Sequence, residues 1–494
     1  MLVTRQQLLL VLLITAFYLV GQLLAGTEVT VAALFALAIL FGILSIFAGG
    51  GLRSAFGFLN AMLIGKFLLI AVAIKVMLLE PADGTLSAPR TTAMVMAIGF
   101  GGLLIGTTMQ SHLSCPQSLS MNRPFSDRML LCFSIVLFVI SYLGYFAAMI
   151  PSTQGEGIRT GGWVGIARGF GSLISLSIVP PMLYLWRIKS HRWMTHPVIL
   201  GMLAWSTLVG IFSTSKQEAM EPLALYGLVG LLRYGWRDLR IWSLFSLAAL
   251  YYALIVFPYS QYVRIAGARE GTFEHRIEIT KDTFWRMASD SQFRSTVSNR
   301  VETPGYFNQE ILSPFGRFAM VGEADKLISA TERQRAFTGW ETITWGLKLL
   351  TPSFLSPDKP IFEAGNYLGH ITGEIGRTDS YTQLSYGAMA NFYNAFSFMG
   401  VLVGTPLFFG AFYYWIRIFL GEAKWDGMPT TSTLWFIWLI SLFQHSIVEL
   451  TVSGLIASLS FPFVLAILCV AAKWLCLFLP QKTKLYEDFV GEQV

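Results

Sequence analysis

Charged residues are scarce in this sequence, at 13% of 494 residues, whereas a soluble fold carries roughly a quarter. Hydrophobic residues make up 54% of the chain, and the mean hydropathy is +0.58. So few charges cannot cover a water-facing surface, and the composition therefore predicts a polytopic membrane protein. It excludes a soluble enzyme, a nucleic-acid-binding protein and a disordered scaffold. The formal net charge of +6 reports membrane orientation rather than a nucleic-acid partner.

Cysteine is also rare, and the motifs of soluble enzymes are missing. The four cysteines show no CxxC spacing, so neither a disulfide framework nor a zinc site is indicated. The sequence has no P-loop, GxSxG, HExxH or nicotinamide fingerprint, and no nucleotide domain that could drive transport. The first outer loop, Gly26-Thr27-Glu28, lacks the acidic pair common in metal-dependent lipid-linked glycosyltransferases. We therefore expect neither a metal nor a cofactor.

Apolar runs long enough to cross a bilayer, which takes about 20 residues each, dominate the rest of the chain. The first run follows Arg5 but lacks a good cleavage site, so we interpret it as a retained helix. The sequence thus predicts an all-α polytopic membrane protein with about twelve transmembrane helices. These spans cover residues 7–26, 29–48, 55–79, 92–110, 129–150, 170–186, 197–213, 219–232, 241–258, 388–416, 430–447 and 453–479.

The distribution of Lys and Arg predicts the orientation of these spans. With the N-terminus inside, the inner loops and span ends hold fifteen Lys or Arg residues, and the short outer loops hold four. Both termini are then cytoplasmic. The chain divides into an N-terminal helix group at 1–258, an extracytoplasmic loop at 259–387, and a C-terminal helix group with a cytoplasmic tail at 388–494.

The long outer loop is polar and close to neutral, with 14 Lys or Arg and 15 Asp or Glu residues. Apolar spacing predicts amphipathic helices over Phe284–Val301, Phe315–Ile328 and Trp340–Leu350, so the loop is expected to be mostly helical. Two proline-containing segments then interrupt the pattern. A glycine-rich stretch leads into the next span at Tyr386-Gly387.

Basic residues near the outer membrane boundary favour a lipid pyrophosphate as ligand. Arg forks and Lys point charges stabilise phosphate oxygens, most of all when charge builds on a departing pyrophosphate. The alternative is that these cations contact lipid headgroups or snorkel. We expect the following residues to bind substrate: Lys216, Arg159, Arg168 and Lys359. Arg264, Arg317 and Arg335 are expected to converge on the same site and to act in catalysis.

Candidate proton acceptors lie in the glycine-rich stretch of the loop. A histidine side chain is the type best suited to taking a proton near neutral pH, and the stretch contains His370, with Glu374 and Asp379 shortly after it. We include His370 and Asp379 among the catalytic candidates. The alternative is a set of surface residues in a loop. Lys66 in the third span could line a substrate pathway or pair within the bundle.

A family resemblance rests mainly on residues 349–400. The segment Pro352-Ser353-Phe354-Leu355-Ser356-Pro357-Asp358-Lys359-Pro360 resembles the P-x-x-x-x-P-x-K-P stretch of oligosaccharide repeat-unit polymerases (Wzy-type, including O-antigen polymerases). Tyr386-Gly387 and the segment 391–400 resemble that family's entry into the next span. The order of helix groups and loop is also similar over the whole chain. Lys216 stands where Arg is more usual.

This resemblance implies a metal-independent, inverting glycosyl transfer on the outer face of a bacterial inner membrane. A growing glycan would leave undecaprenyl pyrophosphate and join a hydroxyl of the next lipid-linked repeat unit. Partners would be the lipid-linked oligosaccharide, membrane lipid, and possible flippase and chain-length regulator proteins. Two alternatives stay open: an O-antigen ligase-like transferase, and an exporter of polysaccharide or lipid-linked oligosaccharide.

Overall fold

The computed structural model describes residues 4–114, 124–149, 170, 173–189, 194–212, 216–265, 273–293, 319–351, 364–376, 384–449 and 452–478. Helices account for most of these residues, and the one extended pairing among them is an isolated bridge between Ser54 and Lys424. The protein is thus a helical membrane protein, as the composition predicts. Eight helical segments in the described ranges are long and apolar enough to cross a membrane, and one of these eight is the segment 388–420.

The helices follow one another through most of the described sequence. Those of the N-terminal part are α1 (Arg5–Leu24), α2 (Val29–Ala48), α3 (Ala55–Ile64), α4 (Ile70–Leu78), α5 (Pro89–His112), α6 (Asp127–Met149), α7 (Val179–Arg187), α8 (Pro197–Phe212), α9 (Lys216–Tyr234), α10 (Leu239–Tyr251) and α11 (Phe257–Ile265). The loop contributes α12 (Phe273–Ser289), α13 (Met320–Gln334), α14 (Glu341–Leu350) and α15 (Ala364–Thr372). The last group is α16 (Ala388–Met399), α17 (Thr405–Leu420), α18 (Thr431–Glu449), α19 (Val452–Ser458) and α20 (Phe461–Phe478).

Small residues allow α5 and α17 to pack closely at the centre of the bundle. A Cβ atom at Gly106 would lie 2.6 Å from the carbonyl oxygen of Pro406, so only glycine fits there. Close approach through small residues is the usual way in which membrane helices associate. A buried polar chain runs beside this contact, because Tyr413 donates to Asn60 Oδ1 at 2.7 Å and Asn60 donates to the carbonyl of Ser45.

The segment 388–420 is broken, so the expectation of one continuous span over 388–416 is wrong. Phe396 and Ser397 leave helical geometry, with φ at −140° and +57°. In a straight helix Phe392 and Phe408 would be about 24 Å apart. Their ring centroids are instead 5.9 Å apart. The chain therefore folds back on itself, and α16 and α17 form a helical hairpin with its tip at Phe396 and Ser397.

The first helix of this hairpin begins deep in the bundle. Gly387 lies against the Phe67 ring in the middle of the third apolar run, and Met389 lies against Gly99. Gly99 is ten residues, or about 15 Å, along α5 from Pro89. Residues 384–387 thus enter the bundle from its loop side. Helix α16 then runs from this depth to the hairpin tip at Phe396 and Ser397. Irregular backbone at such depth is tolerated where other protein groups cover it.

The segment between the two helix groups contains helices whose limits differ from the expected ones. The helix expected over Trp340–Leu350 corresponds to α14, which begins at Glu341. The expected Phe315–Ile328 helix is α13, which runs on to Gln334. The expected Phe284–Val301 helix starts earlier, at Phe273, and ends at Ser289, because Asp290 accepts from the backbone N–H of Gln292 and Phe293 and so begins a new turn.

Loops with predicted inner positions meet at one end of the bundle. The Arg417 side chain donates to the carbonyl of Gln110, and the backbone N–H of Trp425 donates to the carbonyl of Arg53. Arg187 donates to the carbonyl of Pro429. The short inner loops therefore share one end. Which side of the membrane this end faces stays a prediction from the charge distribution.

Cysteine labelling tests that orientation. In a cysteine-free background, we expect Ser291→Cys to react with an impermeant thiol reagent added to intact cells, since the outer loop faces outward. Met428→Cys, which is 63% exposed at the opposite end, should react only after the membrane is opened. Labelling of position 428 in intact cells would reverse the orientation.

Candidate functional site

Helix α13 joins the outer loop to the membrane bundle. It is amphipathic, and Val321, Ala324 and Leu327 on its apolar face are buried. From the same helix, Asp325 accepts hydrogen bonds from the backbone N–H of Ser87 at 2.6 Å and of Ala88 at 3.0 Å. Asp325 thereby supplies acceptors to backbone donors at the start of α5, a role that suits a carboxylate.

An ionic cluster next to Asp325 ties three segments together. Lys326 Nζ contacts Glu323 Oε1 at 3.1 Å and also pairs with Glu374. Tyr386 donates to Glu374 Oε2 at 3.0 Å, and its hydroxyl also contacts Thr372. Burial raises the pKa of Glu323. The cluster links α13 and the end of α15 to the segment that enters the bundle before α16.

Backbone donors from the 336–339 segment cover the tip of the helical hairpin. The N–H groups of Thr338 and Gly339 donate to the carbonyls of Asn394 and Ala395, both at 3.1 Å. These carbonyls lie at the end of a helix and would otherwise lack partners. The hydroxyl of Tyr393 donates to Glu332 Oε1 at 3.0 Å. The end of α13 is thus fixed directly over the hairpin tip.

Two of the predicted site residues lie at neighbouring positions here. Arg335 follows the last residue of α13 in the left-handed region, at φ +51°, and its exposed side chain has no hydrogen-bond partner among the described residues. His370, near the end of α15, is also exposed. Gln334 Nε2 donates to the carbonyl of Ile371 at 2.9 Å. Arg335 and His370 are each adjacent in sequence to one partner of this hydrogen bond, so they flank the contact between α13 and α15.

Exposed aromatic residues lie close to Arg335 and His370 along the chain. Trp340 is 67% exposed and packs edge-on against Phe396 of the hairpin tip, at 5.1 Å between ring centroids. Phe337 and Tyr367 are also exposed. We call the following set the outer platform: Arg333, Arg335, Phe337, Trp340, Tyr367 and His370. Guanidinium groups bind phosphate oxygens, and aromatic faces offer apolar surface to the C–H face of a sugar ring.

The sequence reasoning missed the aromatic members of the platform and the acidic Glu332. A signal for them was present, since Phe337 and Trp340 flank the Thr338-Gly339 pair shortly after Arg335. Aromatic residues are so common in membrane helices that this short run did not stand out. The role of Glu332 depends on Tyr393, which is 61 residues away along the chain.

The remaining predicted residues cannot be joined to this site. Lys216 is the first residue of α9, and Arg264 lies one residue before the end of α11, but only their backbone is described. The other predicted residues lie outside the described ranges: Arg159, Arg168, Arg317, Lys359 and Asp379. The convergence of the basic residues therefore stays a prediction. Lys66 lies in a π-helical turn, Gly65–Leu69, next to the Phe67 ring that meets Gly387.

No group of three or more His, Cys, Asp or Glu side chains that could hold a metal occurs among the described residues. Comparison with known proteins gives no assignment. The chain matches no family model, no curated protein and no solved structure.

Proposed function

We propose that this protein is a polymerase of lipid-linked oligosaccharide repeat units, related to the Wzy-type polymerases that its sequence resembles. It would act at the outer face of a bacterial inner membrane. The observation that supports the proposal best is the outer platform: Arg335, whose side chain has no hydrogen-bond partner among the described residues, an exposed His370, and exposed aromatic rings from the same two segments. The platform offers guanidinium groups for a phosphate, one proton acceptor, and apolar faces for sugars.

The proposed reaction assigns a role to each group. The hydroxyl oxygen of the acceptor repeat unit attacks the anomeric carbon of the donor glycan, on the face opposite its pyrophosphate. The bond between that carbon and the pyrophosphate oxygen breaks, and its electron pair leaves with undecaprenyl pyrophosphate. His370 takes the hydroxyl proton, and Arg335 stabilises the negative charge that develops on the leaving group. Trp340 and Phe337 hold the glycan against the platform.

A reconstituted assay tests this function. Purified protein in liposomes should convert a purified undecaprenyl-pyrophosphate-linked repeat unit into a ladder of longer glycans and release undecaprenyl pyrophosphate. Transfer onto a lipid A core acceptor without a ladder would favour the ligase-like alternative. Movement of the intact lipid-linked unit across the liposome, with no new glycosidic bond, would favour an exporter.

The same assay tests whether a metal takes part. We expect glycan formation to continue after EDTA treatment, since side-chain cations rather than a metal would neutralise the pyrophosphate. The measurement is the ladder length with and without chelator, using a known metal-dependent transferase as positive control. Loss of product that Mg²⁺ or Mn²⁺ restores would contradict this mechanism.

A further inference from the structure

The end of the bundle opposite the outer platform contains a polar cavity of about 200 Å³. The ends of α2, α3, α5 and α17 and the segment after α17 form it. Its polar lining includes Ser54, His112, Arg417, Glu422 and Lys424. This is the end where the loops rich in Lys and Arg meet. Basic pockets between membrane helices at such a position commonly bind acidic lipid headgroups.

The cavity has firm walls, because two loops pair through their backbones. The backbone N–H of Ala55 donates to the carbonyl of Ala423 at 3.0 Å, and the backbone N–H of Trp425 donates to the carbonyl of Arg53 at 2.8 Å. Gly49 packs so tightly that a Cβ atom there would lie 2.7 Å from the backbone nitrogen of Gly57. The concave shape is therefore part of the fold and not a depression between mobile side chains.

The charge of the cavity favours an anion. Arg417 is held in place by the carbonyls of Gln110 and Leu113, at 2.8 and 3.2 Å. Glu422 pairs with Arg417 and with Lys424, and its pKa is lowered by the hydrogen bond from Lys424. Two cations and one carboxylate leave a charge of +2 − 1 = +1. The side chain of Lys424 is half exposed, so it can also contact a ligand.

An apolar groove adjoins this cavity on the lipid-facing side of α5. Its volume is about 470 Å³, and it is lined by Leu104, Ile105, Thr108, Met109, His112 and Leu113. His112 lines both the groove and the polar cavity. From Leu104 to Leu113 the groove follows α5 for about 14 Å. Ile105, Met109 and Leu113 are exposed there.

A basic cavity that continues into an apolar groove matches one class of ligand. We propose that this pair of sites binds an anionic phospholipid, with its phosphate beside Lys424 and Arg417 and one acyl chain along Leu104–Leu113. A soluble phosphate would use the cavity but leave the groove without an occupant. The adjoining groove therefore favours the lipid, which joins both chemistries in one molecule.

Lipid binding to the purified full-length protein tests the proposal. Native mass spectrometry would count bound phosphatidylglycerol, with phosphatidylcholine as the zwitterionic comparison and sn-glycerol 3-phosphate as the soluble one. We expect phosphatidylglycerol to bind best. Lys424→Gln should weaken its binding about fivefold, the usual effect of one basic residue at a headgroup. Met109→Gln should weaken it as well, because a polar amide enters the groove.

Matched controls make the result decisive. Lys473→Gln removes an exposed cation that lines neither the cavity nor the groove, and it should bind phosphatidylglycerol as the wild type does. Equal binding by all variants would refute the site. If Lys424→Gln lost binding of sn-glycerol 3-phosphate while Met109→Gln kept full lipid binding, the ligand would be a soluble phosphate and the lipid assignment would be wrong.

Discussion

Replacing Arg335 by alanine is expected to abolish long polymer while leaving the amount of protein in the membrane unchanged. The Arg335 side chain is exposed and makes no hydrogen bond among the described residues, so its removal leaves no buried group without a partner. Both residues carry a Cβ, so the left-handed backbone at φ +51° costs each of them a similar amount. Stability should therefore hardly change.

The effect on catalysis should be large by contrast. Loss of one charge-assisted donor to a developing negative charge costs roughly 2–4 kcal/mol of transition-state stabilisation, or about 30- to 1000-fold in rate. The measurement is glycan length on a gel at matched expression. Arg335→Lys should restore only part of the ladder, because an ammonium group cannot form the paired bonds of a guanidinium.

Arg286→Ala provides the matched control for charge removal. Arg286 is exposed on α12 and pairs with Asp282 one helical turn earlier, an interaction worth about 0.3–0.5 kcal/mol. We expect it to give a wild-type ladder. A wild-type ladder from Arg335→Ala as well would contradict the role of the platform cation, and the exporter alternative would gain support.

Hydrophobic patterning predicts helices well in this chain but not how they break. Helix α14 agrees with the sequence within one residue, because its apolar positions recur at helical spacing. The hairpin of α16 and α17 was missed, since average hydropathy cannot distinguish one long helix from two short ones. Gly400 and Gly404 were the available signal. A Cβ at Gly400 would lie 2.1 Å from the carbonyl oxygen of Phe392, so the fold-back needs glycine there.

The candidate site was only partly predictable for a similar reason. Residue chemistry singled out Arg335 and His370, and in the structure they flank one contact between α13 and α15. That contact joins Gln334 and Ile371, which are 37 residues apart along the chain. Nothing local in the sequence ranks Arg335 above the other loop arginines. The distinction comes from pairing, because Arg286 has a carboxylate partner and Arg335 has none among the described residues.

Asp325→Ala is expected to produce the largest loss of stability in the outer loop. Asp325 is 2% exposed and accepts three hydrogen bonds, from the N–H groups of Ser87 and Ala88 and from the Thr92 hydroxyl at 2.7 Å. Alanine would leave these donors buried without an acceptor. A helix cap contributes roughly 0.5–2 kcal/mol, and each buried unsatisfied group costs about 1–3 kcal/mol. We therefore expect a loss of about 2–5 kcal/mol on the same basis.

The measurement is the temperature at which half of the detergent-solubilised protein is lost from its size-exclusion peak. Asp282→Ala, which removes an exposed carboxylate from α12, should leave this temperature nearly unchanged. Asp325→Asn should fall between wild type and alanine, because the amide oxygen can still accept from one backbone N–H of α5. A wild-type midpoint for Asp325→Ala would mean that the outer loop does not depend on this contact to stay on the bundle. The position of Arg335 over the hairpin tip would then need another cause.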